Sequence, residues 1–326
     1  MICSAKGRPI MEHRKFKRRL AELVTELTLA QGRKLIDAIS DRSAGNETQK
    51  LIDGRFQADL KCPHCQRRRI HRHGMARGLR RYKCMGCTRT FNALTGTPLA
   101  RLRKRDRWLK FAEALNASQT VRAAAARVGI DKSTSFRWRH RFLKAQKDPK
   151  DRQLNGIVEV DECFILASRK GERRLPRKAR KRGGKAEKPG LSGEQTPILI
   201  ARDRYGHQLD AVLPNRSEDA VSAILKDAVS KTDVLLCIDG DPALIAFAKS
   251  EAIEYELILA SHGEHVHEKV LHIQTVNSYI SRFKKWMDRF NGVATKYLPN
   301  YLGWRRMLDK SAAVLTPERC LVAAIG

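Results

Sequence analysis

Four cysteines fall into two tight pairs, Cys62-x-x-Cys65 and Cys84-x-x-Cys87, with eighteen residues between the pairs. Two thiolates two residues apart can reach one tetrahedral ion from a single turn, and a second such turn closes a four-sulfur shell suited to structural zinc. His64, His71 and His73 are nearby nitrogen donors, yet four sulfurs already fill that shell, so they read as surface or backbone-contacting residues. Cys3, Cys163, Cys237 and Cys320 stand alone and read as small buried hydrophobes or free thiols.

A different chemistry is suggested further on. Asp161, in VEVDE, and Asp239, in VLLCIDGD, are each expected to end a strand. Carboxylates held rigidly side by side can hold a pair of Mg2+ ions through oxygen, and two such ions can drive phosphoryl transfer. A long helix, LHIQTVNSYISRFKKWMDRF, carries Val276, Ile280, Phe283, Met287 and Phe290 as a buried stripe. Asn277 and Lys284 are seven residues apart, which at about 100° per residue returns to nearly the same face. Asn277 could therefore reach the metals and Lys284 a nucleic-acid backbone. By position alone the two aspartates suit ordinary turns better, and it is the basic DNA-binding region before them that changes that weighting. Glu162 and Asp241 are adjacent carboxylates that could substitute, and they rank below Asp161 and Asp239. His262, His265, His267 and His272 read as loop histidines, with His272 the neighbour of the site.

The elements that must position these groups can be read from periodicity. Residues 11–38 suggest a helix and Asp41 to Gln49 a turn. A helix-turn-helix pattern covers 119–146: an Ala-rich first helix, Gly129 at the turn, and Ser133 as a cap for the second. Thr134, Arg137 and Arg141 would share the face that enters a major groove. Val121, Ala125, Val128, Ile130, Phe136, Trp138 and Phe142 would supply the packing. After Pro149 come three strand-like runs, then helix, strand, helix, strand and helix, the order of a mixed sheet flanked by helices and of a ribonuclease H-like fold. Domains are expected at 1–50 (helical), 51–98 (zinc ribbon), 99–150 (helix-turn-helix) and 151–310 (α/β). Residues 311–326 form a tail with no evident chemistry.

Charge points to the partner. The 326 residues carry 65 Lys and Arg against 35 Asp and Glu, a net +30, and residues 1–150 hold 37 of the basic side chains and only 12 of the acidic ones. Such a field attracts a polyanion, and nucleic acid fits better than a membrane surface because no basic amphipathic helix stands out. The insert 169–190 is strongly basic as well, and reads as a mobile arm touching phosphates. No apolar run reaches the roughly 18 residues that span a bilayer, and the first residues lack the apolar core of a secretory signal, so a cytoplasmic protein is expected.

CPHC, CMGC, VEVDE, LCIDG and HIQTVNSYISRFK together resemble the zinc-ribbon insertion-sequence transposases of the DDE superfamily, in the ISXO-type group, over about residues 51–310. The last block is the most specific, since that family carries Glu or Asn followed seven residues later by Lys. The resemblance implies Asp161, Asp239 and Asn277 as a catalytic triad served by Mg2+ or Mn2+, with Lys284 a contact to the transposon end. Asn277 departs from the commoner Glu and looks like an Asn-bearing branch. It further implies double-stranded DNA as the partner, both transposon ends and target, with a homodimer or higher oligomer at synapsis and a nucleoid-associated location. The activity implied is binding of terminal repeats, strand cleavage and strand transfer. The alternatives are a catalytically inactive DNA-binding regulator and a structure-specific nuclease of the same fold.

Overall fold

The computed structural model describes residues 12–147, 153–175, 178, 180, 183–184, 186–187, 192–258, 270–310 and 315–326. Two compact units result, one running up to Ala93 with Leu102–Phe111, the other made of Leu94–Arg101 with everything from Ala112 onward.

The first unit begins with α1 (His13–Glu26) and α2 (Leu29–Ala58). The expected single helix over 11–38 is broken at Leu27–Thr28, where Thr28 and Gln31 form a reciprocal capping box that starts α2. The expected turn at 41–49 is helical instead. Its polar composition is overridden by tertiary packing, because Thr48, Ile52 and Phe56 are buried and Phe56 meets Tyr82 and Phe91 at ring-centroid distances of 5.0 and 6.0 Å. Strands β1 (Ile70–Ala76), β2 (Leu79–Cys84) and β3 (Thr90–Asn92) form an antiparallel sheet in that order. Gly78, at φ 74°, permits the β1–β2 turn.

Next come α3 (Trp108–Asn116), α4 (Val121–Val128) and α5 (Lys132–Phe142). The last two form the expected pair around Gly129, which ends α4 in the left-handed conformation at φ 68°. The cap of α5 is Asp131, which accepts the Ser133 N–H at 2.7 Å, and not Ser133 itself. Phe136, expected to pack, is 41% exposed.

Five strands form the mixed sheet of the second unit: β4 (Leu154–Leu166), β5 (Gln195–Asp203), β6 (Gln208–Val212), β7 (Val229–Ile238) and β8 (Glu254–Leu257), in the order β6-β5-β4-β7-β8. Pairing is antiparallel through β6-β5-β4 and parallel through β4-β7-β8. Between them run α6 (Glu218–Leu225), capped by Ser217, and α7 (Pro242–Ser250), capped by Asp241 with Pro242 in its first turn. Val158, Val160, Leu236 and Ile238 point to one face and pack with Val221, Leu225, Leu244 and Phe247 of these helices. The opposite face is covered by α8 (Gln274–Asp288) and α9 (Leu298–Lys310). Residues 317–325, within the C-terminal tail, form α10 (Pro317–Ile325), whose Cys320, Leu321, Ala324 and Ile325 are buried.

The helix pair is built into this unit. A Cβ on Gly303 would overlap the Gln146 carbonyl, so only glycine lets the segment after α5 lie on α9. Arg306 donates to Gln146 O at 2.9 Å while pairing with the buried Asp210 carboxylate, which also takes the Tyr279 hydroxyl at 3.3 Å.

Candidate active site

β4 and β7 pair in parallel up to Val160 opposite Ile238, so the next residues, Asp161 and Asp239, stand level on neighbouring strands. Adjacent strands lie about 4.8 Å apart. Both side chains fall on the face opposite the Val158–Ile238 core, by the alternation that buries the even-numbered positions. Asp161 does not end its strand as expected: β4 continues to Leu166 against β5, and what stops there is the pairing with β7. Beyond Ile238 the chain turns away at Gly240, φ 89°, which leaves Asp239 exposed beside the half-buried Asp161.

Burial first, and then the Asp239 charge, push the Asp161 carboxyl up to about 7, while the Lys284 ammonium pulls the other way. A pair of like charges forced together in a partly dry site disfavours ionisation of one of them. A hard divalent cation would relieve that repulsion, so the donor set fits oxygen-ligated Mg2+ or Mn2+.

Glu162 and Asp241 are engaged elsewhere. Arg216 bonds Glu162 at 2.8 Å and also pairs with Asp241, and Asp241 caps α7 by accepting the Ala243 N–H at 2.9 Å. Glu162 is pushed upward, chiefly by burial and against the pull of Arg216. These two carboxylates, through Arg216, tie the loop after β7 to β4.

α8 crosses the Asp161 face. Its buried stripe is as expected at Val276, Ile280, Phe283 and Met287, joined by Tyr279 and Trp286. Asn277 is exposed on the flank that also carries Lys284, whose charge acts on Asp161 and Cys163. Sequence reasoning missed Glu159, which is 1% exposed and accepts the Val276 N–H at 2.8 Å. A glutamate between two valines reads as a solvent-facing position of an alternating strand, so no local signal marks it as buried. His272 is 3.3 Å from Glu159 and within 3.1 Å of Arg204. His262, His265 and His267 lie outside the described residues, as does much of the basic insert.

In the first unit the Sγ atoms of Cys62, Cys65, Cys84 and Cys87 all lie within 4.8 Å of one another, with Cys62–Cys87 at 3.6 Å and Cys65–Cys84 at 3.5 Å. Four sulfurs at a zinc–sulfur bond length span tetrahedron edges of about 3.8 Å, so the cluster is of a size to hold zinc. The backbone N–H groups of Cys87 and Gly86 lower the Cys84 thiol to about 6, against burial, which favours the thiolate a metal needs.

On α5 the three residues expected to face DNA separate. Arg137 is exposed, Thr134 is half-buried, and Arg141 turns inward to the carbonyls of Pro98 and Ala100, the latter at 2.8 Å. Arg139 is 1% exposed, bonded to Tyr301 Oη at 3.2 Å and set over the Phe290 and Trp304 rings at 5.5 and 5.0 Å.

A mixed sheet with two level carboxylates under a covering helix is consistent with a ribonuclease H-like fold. Residues 153–305 match the ISXO2-like transposase domain. A relative in the transposable element ISH50 of Halobacterium salinarum, an uncharacterised protein, is 28% identical over 81% of this chain and 89% of its own length. Residues 153–305 are thus similar to transposase domains of insertion sequences, and most of the chain is similar to a protein of a transposable element. Structures of a pre-cleavage Mos1 transpososome and of the Mos1 strand transfer complex each align at 15% identity over 66% of this chain and 78% of theirs. Their TM-scores of 0.18 and 0.22 are too low to bear on architecture. Among the described residues no helix is long and apolar enough to cross a membrane.

Proposed function

We propose that the protein is the DNA transposase of an insertion sequence, which binds terminal inverted repeats and performs metal-dependent strand cleavage and strand transfer. The observation that carries this reading is the side-by-side placement of Asp161 and Asp239, each one residue beyond the last parallel pair of β4 and β7, beneath the helix that bears Asn277 and Lys284.

Asp161, Asp239 and the Asn277 amide would hold Mg2+ or Mn2+. When bound, such a pair activates the attacking oxygen and stabilises the departing one across a phosphodiester. Asp161, its carboxyl pushed up to about 7 by burial and the Asp239 charge, keeps its proton more tightly than an ordinary carboxyl, and a bound cation would favour its release; Lys284 offers a cation to the DNA backbone on the same flank of α8. Recognition of the ends falls to the ribbon, where Arg67, Arg72, Arg77 and Arg80 are exposed, and to α5. Lys132, Ser133 and Arg137 are open at the amino-terminal half of α5, the half of a recognition helix that meets base edges, with Thr134 partly open. Arg141 would contact DNA only by leaving its carbonyl partners. Zinc in the four-cysteine cluster would hold the ribbon, and synapsis of two ends calls for a dimer or higher oligomer in the cytoplasm, at the nucleoid.

The test is to incubate the protein with labelled terminal-repeat DNA, a target plasmid and Mg2+ or Mn2+, beside Asp161→Ala and Asp239→Ala. Joined strands lost in both variants support transposition. Binding without cutting would replace the reading with a regulator, and cutting without joining with a nuclease.

A further inference from the structure

We infer that Glu159 is a positioning residue for Asn277, fixing the helix that carries it at a set offset from Asp161. The inference rests on the reading of Asn277 as a metal ligand.

Ile273, the residue before helix α8, offers no side-chain cap; the Gln274 N–H goes to His272 Nδ1 at 3.2 Å, and the next N–H groups need acceptors from elsewhere. The first N–H groups of a helix need acceptors, and a carboxylate there also meets the positive end of the helix dipole. Glu159 supplies that acceptor from the sheet: its Oε2 takes the Val276 N–H at 2.8 Å. A buried carboxylate is costly unless its charge is balanced. Here Arg204 Nη1 stands 2.7 Å from Oε1, an ion pair whose angle falls short of an aligned hydrogen bond, while His272 Nδ1, 3.3 Å away, is itself an acceptor for the Gln274 N–H. The same guanidinium donates to Thr275 Oγ1 and to the Val270 carbonyl, both at 3.1 Å, so Arg204 fastens the chain leading into α8 to the carboxylate that caps it.

Glu159 and Asp161 sit two residues apart on one face of β4, about 6.7 Å along the strand. Val276 immediately precedes Asn277. One rigid strand therefore carries both the nearest proposed metal ligand and the anchor of the helix that brings in the third. Ligands must be held within about 0.5 Å of productive geometry, and groups that orient them are worth about 10- to 100-fold in metal affinity or activity.

The experiment measures single-turnover cleavage of labelled element-end DNA against Mn2+ concentration for the full-length wild type, Glu159→Gln, Asn277→Ala and the double variant, with end-binding Kd and amide exchange over 274–280 as controls. Glu159→Gln should raise half-saturating Mn2+ about tenfold, with end binding within about twofold of wild type. Added to Asn277→Ala it should cost nothing more, because its effect passes through that amide. Arg204→Lys, which keeps the charge and loses the fork, should show a smaller effect with the same non-additivity, and stands in if Glu159→Gln fails to fold. Losses that multiply with Asn277→Ala, or an unchanged Mn2+ dependence in both variants, would overturn the inference alone. A wild type that cuts nothing would remove the functional reading and this inference with it.

Discussion

Asp161 and Asp239 come from strands separated by two hairpin strands and a helix, yet stand side by side one residue beyond the last parallel pair, Val160 with Ile238. Among the described residues neither has a basic partner as close as the one Arg216 gives Glu162, and the Asp161 carboxyl is pushed up to about 7. The fold therefore carries a like-charge repulsion at this point, which the proposed cation would relieve.

That repulsion is visible in the metal-free protein. Asp161 keeps its proton up to about 7 when folded and up to about 4 when unfolded. Between those values the folded state binds more protons, so stability from this group is full below about 4 and is lost as pH rises through 7. The melting temperature without divalent ions should fall across that window, and Asp161→Asn should flatten the fall. A profile that is the same in both proteins would refute the assignment.

Loss of either aspartate should abolish chemistry without abolishing binding. Asp161→Ala and Asp239→Ala should each reduce strand cutting by about 1,000-fold or more while end-binding affinity stays within about twofold, as read from gel-shift and single-turnover assays.

Arg137 and Arg139 of α5 should behave oppositely. Arg139→Ala leaves a hole between Phe290 and Trp304 and orphans the Tyr301 hydroxyl, and should cost about 3 kcal/mol in urea unfolding. Arg137→Ala should leave stability within about 0.5 kcal/mol and weaken DNA binding by about 1–3 kcal/mol.

Removing metal from the cysteine cluster should act on the first unit. A strong chelator, or Cys84→Ser, should release one zinc per chain by native mass spectrometry and open residues 60–93 to protease. The mixed sheet of the second unit, which has its own core, should keep its amide protection.

Arg216 should matter structurally despite being 38% exposed on its side chain. Arg216→Ala leaves Glu162 and Asp241 unbalanced near Asp239, and after allowance for solvent screening should cost about 1 kcal/mol. Asp241→Asn, which can still cap α7, should recover part of that loss. No recovery would mean that Arg216 acts through something other than charge.

Much of this was legible in the chain itself. C-x-x-C spacing, the apolar stripe of α8, the Gly129 turn and the order of strands and helices are local patterns, because ligand bite, helix pitch and glycine's access to positive φ are properties of a few adjacent residues. They sufficed to anticipate a mixed sheet, whereas Asp161, Asp239 and Asn277 were singled out as a triad by the family resemblance rather than by position. Tertiary structure decided the rest. It turned 41–49 into helix by burying Thr48, Ile52 and Phe56, and carried β4 past Asp161 by giving it β5 as a partner. It took Arg139 and Arg141 away from the surface, and placed Glu159 under α8. In each case the deciding partner lies far along the chain, and burial of an arginine or glutamate is stable only where that partner supplies the opposing charge or the hydrogen bond.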